Sequence, residues 1–163
     1  MDPVSNTPPR GTADIGKILS EQNFNVAIPA GIGAAVLGAV VWAVVTVATE
    51  MQLGLMAIAV GFVVGRAIRA VGHGVEPKFG YLGAACALAG CVAGNVLSDI
   101  GFYAKIRHIG FGEALGNLDM ALLTKLVETF SQPMDLLFYG IAVYEGYKFS
   151  FKYRLVKPAA AAQ

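Results

Sequence analysis

Charge is what this sequence has least of. No Asp, Glu, Lys or Arg occurs from Val26 to Thr49, nor from Met51 to Gly65. Charged residues make up 14 % of the 163-residue chain, where soluble domains carry roughly 25 %. A chain this short cannot build a core large enough to bury such runs, so lipid is the solvent they imply. The formal net charge of +1 excludes both the basic field of a nucleic-acid binder and an acidic tail. Cysteine is nearly absent: Cys86 and Cys91 are the only two. Five residues apart in one apolar run, they fall on different sides of a helix and imply neither a disulfide nor a metal site. Histidine is equally scarce. His73 lies in a glycine turn and His108 beyond the third apolar segment. The two are expected on opposite sides of the molecule, so they make no metal site together. No H-E-x-x-H, G-x-S-x-G or P-loop pattern occurs. The sequence reads as a non-enzyme without cofactor or metal.

What is present is helix. Residues 1–25 form a polar leader with Pro3, Pro8, Pro9 and Gly11, then a possible short helix around Ala13 to Gln22. Val26 to Thr49 follows as a retained transmembrane helix. It is longer than a signal-peptide core and has no polar cleavage region behind it. Pro29 sits in its first turn, where a missing N–H costs little. Gly31, Ala35 and Ala39 share one side, with Ala34 and Gly38 beside them. Trp42 is either an interfacial anchor or a packing residue. A short link at Glu50–Gly54 makes the next helix, about Leu53 to Val71, an antiparallel partner. Its strictly apolar part ends at Gly65, too short for ~30 Å of hydrocarbon at ~1.5 Å per residue. Its last turn therefore includes Arg66 and Arg69, with their stems along lipid and their guanidinium groups at the headgroups. Ala57, Gly61 and Gly65 form a small-xxx-small stripe, the pattern that lets helix backbones approach in lipid.

The third helix, about Phe79 to Tyr103, carries Gly83, Ala87, Gly90 and Gly94, then a polar end at Asn95, Ser98 and Asp99. Leu118 to Phe130 reads as an amphipathic helix on the membrane surface or against the bundle. Ser131 and Pro133 restart the chain. The fourth helix, about Pro133 to Phe151, is rich in aromatics in its second half. Residues 152–163 read as a tail. The expected fold is all-α: an integral-membrane four-helix bundle over 26–151 with an additional amphipathic helix between the third and fourth spans.

Four spans put both tails and the second turn on one side. Nine Lys and Arg residues fall on that side: Arg10, Lys17, Arg66, Arg69, Lys78, Lys148, Lys152, Arg154 and Lys157. Three, Lys105, Arg107 and Lys125, fall on the other, so both termini are expected in the cytoplasm. Positive-inside retention accounts for Arg66 and Arg69. A contact from either to Glu145, one turn from the same end of the fourth helix, is the sharper reading. Asn95, Asp99 and Glu145 join the two arginines as candidate intramembrane polar sites.

Trp42-Ala43, Thr49, Gly54, Met56-Ala57-Ile58, Gly61, Val64-Gly65 and Ala67-Ile68-Arg69 form one set of residues. Phe79-Gly80, Gly83-Ala84, Gly90-Cys91, Gly94-Asn95, Met134–Ala142 and Tyr144–Lys148 form another. Together the pattern resembles an uncharacterised family of small bacterial multi-pass inner-membrane proteins. The resemblance implies a bacterial inner-membrane location and carries over no functional residue. Abundant packing signal with no visible chemistry makes a structural or accessory subunit the first expectation, with partners in the lipid bilayer, a homo-oligomer or other membrane subunits. An oligomeric channel or small-solute transporter is the alternative, with polar residues such as Asn95, Asp99 and Glu145 lining its path. An intramembrane enzyme using Asp99 or Glu145 as acid or base ranks last.

Overall fold

A computed structural model describes residues 17, 19–51, 54–116, 124 and 133–152. These residues are helical, with no strand among them. The helices are α1 (Phe24–Thr49), α2 (Leu55–Gly72), α3 (Pro77–Arg107), α4 (Phe111–Gly116) and α5 (Pro133–Phe149). At ~1.5 Å per residue, α1 and α3 run about 39 and 46 Å, and α2 and α5 about 27 and 25 Å. Three of them, α1, α2 and α3, are long and apolar enough to cross a membrane. The amphipathic helix expected over 118–130 lies outside the described residues except for Thr124.

The central pair is α2 and α3, which touch each other. On one flank α1 packs against both, and on the other α5 does the same. Small residues set the spacing. A Cβ on Gly61 would fall on the backbone of Ala142 in α5, 2.8 Å from its Cα. On Gly65 it would meet Phe149 Cβ at 2.8 Å and the Gly146 carbonyl at 3.2 Å. Gly83 of α3 and Gly146 of α5 face each other with the same lack of room. The two glycines of the small-xxx-small stripe of α2 are thus occupied by this chain's own α5. Large side chains fill what remains: Phe79, Ile68, Val64 and Trp42 are buried. Trp42 lies against Gly94, whose Cβ would meet the indole at 3.0 Å. It is a packing residue and does not anchor the interface.

The outward faces invert the pattern of a soluble protein. Ile32, Val36, Leu37, Val40, Val41 and Val44 are exposed along α1, as are Leu136, Leu137 and Tyr144 on α5. Contiguous apolar surface of this extent needs lipid or a partner over it.

Three segments meet at one end of the bundle. The Asn23 N–H donates to Gly72 O at 2.9 Å. Gln22 Oε1 accepts from the N–H groups of Val75 and Glu76 at 3.1 and 3.3 Å. The Lys152 N–H donates to Gly74 O at 2.8 Å. The start of α1, the α2–α3 turn and the end of α5 are therefore laced together, as an up-and-down arrangement requires. At the opposite end Lys105 Nζ donates to Glu50 Oε1 at 2.6 Å. The ammonium beside it holds the Glu50 carboxyl below the usual carboxylate range.

α3 is longer than its sequence implies because its stop is not a glycine. His108 takes φ 54°, and its N–H donates to Lys105 O at 3.3 Å while that of Ile109 donates to Ala104 O at 3.1 Å. These are the paired bonds of a Schellman cap, and Ile109 packs against the small cluster of Ile100, Ala104 and Ala114. A left-handed backbone is unfavourable for any residue with a Cβ. Replacing the exposed His108 by Gly is expected to stabilise the fold by about 1 kcal/mol. Thermal unfolding in detergent measures this, and an unchanged or lower midpoint would contradict it.

Candidate functional site

Polar groups converge in two places. The first is a buried layer toward the Glu50 end. Asn95, on α3, donates from Nδ2 to the Tyr139 hydroxyl of α5. Ser98 turns its hydroxyl back to Gly94 O at 2.7 Å, the usual solution for a serine in an apolar helix. Asp99, one turn beyond Asn95, is buried. Thr46 of α1 is fully buried, and its Oγ1 has no hydrogen-bond partner.

Tyr139 is the member of this layer that the sequence analysis does not single out. The signal was its spacing: Tyr139, Ala142, Gly146 and Ser150 are the buried residues of one α5 face. Asn95→Ala and Tyr139→Phe are each expected to cost about 1 kcal/mol, and the double variant little more than either single one. Additive losses in a double-mutant cycle would show that the bond contributes nothing. Thr46→Val removes an unsatisfied buried hydroxyl and should raise stability by about 1 kcal/mol, read as a higher unfolding midpoint.

The second place is the laced end. Arg66, Arg69, Ala70 and His73 follow one another at helical spacing along α2 and its cap. With Lys152 they line a cavity of about 300 Å³. His73 adopts φ 46° as the α2 cap, which swings its ring toward the end of α5. There Lys152 Nζ lies 2.8 Å from His73 Nδ1. Arg66 rests its guanidinium over the Phe62 ring, 5.9 Å from the centroid. Phe62 in turn packs edge-on against Phe149 at 5.0 Å.

Neither arginine forms an ion pair with Glu145; the ion pairs among the described residues are Lys78–Glu76 and Lys105–Glu50. Arg66 and Arg69 line one cavity with His73 and Lys152. Asn95 and Asp99 lie in the other polar layer.

The small positions named from the sequence all lie between helices. Gly31 faces Ile68 and Cys86, Gly38 faces Val60, and Gly90 faces both Val60 and Ala35. Ala57 and Ala87 have no exposed surface. Ala57 O lies 3.9 Å from the Cys91 thiol. Among the described residues no group of three or more His, Cys, Asp or Glu side chains is placed to hold a metal.

The chain matches no protein-family model, no curated protein and no solved structure at a significant level. What fold and site define is a class: a protein whose described residues are helical, with three helices among them long and apolar enough to cross a membrane.

Proposed function

We propose that this is a bacterial inner-membrane protein of four spans, α1, α2, α3 and α5, with both termini in the cytoplasm. It acts as a structural or accessory subunit within a homo-oligomer or a larger membrane complex. The observation that carries the reading is how the small residues are used. Gly61, Gly65, Gly83 and Gly146 bring α2 and α3 against α5 at backbone contact, which closes the interior of the single chain. What is left for function is the outer surface, with its long aliphatic face on α1.

At 17 residues, α5 reaches about 25 Å, and local thinning of the bilayer or snorkelling of its flanking residues accommodates the difference. The orientation follows from the charges: Arg66, Arg69, Lys78, Lys148 and Lys152 lie toward the laced end, against Lys105 and Arg107 at the other.

Affinity purification of the full chain from native membranes in mild detergent, with mass determination of what accompanies it, tests this. A stoichiometric companion or a defined oligomer is expected. A lone monomer would count decisively against it. The buried layer of Asn95, Ser98, Asp99 and Tyr139 favours a second reading, an oligomeric channel or small-solute transporter. Liposome flux equal to that of empty vesicles, across ions and small polar solutes, would remove it.

A further inference from the structure

The cavity at the laced end is made of cations. Among the described residues its lining holds two guanidinium groups, one ammonium and one imidazole around the small floor of Ala70. Its members come from α2 with its cap and from the segment that follows α5. Arg69 and His73 stand one turn apart on α2 and its cap. Arg66 is steadied against Phe62. Lys152 is tied to the α2–α3 turn by its own backbone N–H on Gly74 O. An ammonium can only donate, so in the 2.8 Å contact His73 Nδ1 accepts, and the ring carries its proton on Nε2 as one more donor.

A helix C-terminus ordinarily repels anions. Here two nearby carbonyls, Gly72 O and Gly74 O, are already engaged by the N–H groups of Asn23 and Lys152. Three formal positive charges converging on a 300 Å³ space outweigh what remains of the dipole. The space reaches the size of a small-ligand pocket. It also sits where α2 passes from its charge-free stretch to its arginines, which is where headgroup phosphates lie.

We infer that Arg66, Arg69, His73 and Lys152 form a binding site for a phosphate group. Arginine supplies the planar fork that engages two phosphate oxygens at once, and lysine adds a point charge. The phosphate is supplied by an anionic lipid headgroup or by a water-soluble phosphate compound. The inference does not depend on whether the chain has a protein companion.

The test uses the full chain, purified and delipidated in dodecyl maltoside. Native mass spectrometry follows addition of equal phosphatidylglycerol and phosphatidylcholine. In parallel, thermal unfolding is followed across a titration with inorganic phosphate. One phosphatidylglycerol retained per chain, over phosphatidylcholine by about tenfold or more, assigns the site to lipid. A rise in unfolding midpoint with inorganic phosphate alone assigns it to a soluble phosphate. In either case Arg66→Gln with Arg69→Gln should abolish the effect, while Arg107→Gln, at the opposite end, should leave it intact.

Two milder variants keep the test open if the double variant does not fold. Ala70→Glu puts a carboxylate at an exposed position of the lining, and Lys152→Gln keeps the backbone hydrogen bond but removes the charge. Each should weaken retention or the phosphate shift several-fold. No preference for phosphatidylglycerol together with no phosphate shift would overturn the inference. So would a preference or shift that the lining variants share undiminished with the parent chain.

Discussion

Gly61→Ala and Gly83→Ala are each expected to destabilise the protein by about 3 kcal/mol, the upper part of the range for overpacking. One added methyl group suffices because each faces backbone. At Gly61 the new Cβ falls on Ala142, and at Gly83 it falls on Gly146 and the Ser150 hydroxyl. A backbone cannot rotate aside as a flexible side chain can, so α5 would have to move away along its length. The opposing effect is small: Gly to Ala within a helix gains only about 0.5–1 kcal/mol. That gain should appear alone at Gly33 and Gly140, where nothing lies within 4 Å of the added Cβ. The four variants, compared by the temperature at which the detergent-solubilised chain loses its monodisperse peak, should therefore split in sign. Gly61→Ala as stable as Gly33→Ala would mean that α2 and α5 do not meet at backbone contact.

Phe79→Ala should cost as much or more, about 3–5 kcal/mol for a fully buried aromatic. Phe79 has no exposed surface. It meets Phe24 edge-on at 5.3 Å, and it underlies the α2–α3 turn closely enough that a Cβ on Gly72 would come within 2.8 Å of its ring. Losing it removes the support of the turn that holds Gln22, His73 and Lys152 together. Hydrogen exchange should show this locally, with the Val75, Glu76 and Lys152 amides accelerated ahead of those in mid-helix. Uniform acceleration throughout the chain would mean that the ring supports the whole bundle and not this end.

Much of this fold was legible beforehand because a charge-free apolar run leaves its backbone few choices. A segment without charge must satisfy its own backbone, and helix is the solution open to a single segment. The first three helices follow directly, and their ends fall within a few residues of where charge and glycine put them. α3 runs on to Arg107 because its stop is a histidine in left-handed conformation, a residue type that announces no stop. Trp42 was ambiguous for a similar reason: its neighbours in sequence cannot reveal that Gly94 leaves a recess for it. The polar layer was half legible. Asn95, Ser98 and Asp99 share a face of α3, but Tyr139 hides among aromatics of other purpose.

The sequence by itself determined that the chain is helical, where its apolar helices lie and which small residues let them close. Those properties are local: solvation of the backbone, the period of 3.6 and the absence of a side chain. Only the tertiary structure decided which helix fills each small-residue stripe, and that Arg66 and Arg69 share a cavity with His73 and Lys152. The reason is physical. A glycine stripe accepts any helix that fits it, and a long guanidinium reaches partners in many directions. Such choices are settled by the joint packing of α2, α3 and α5, which no single segment contains.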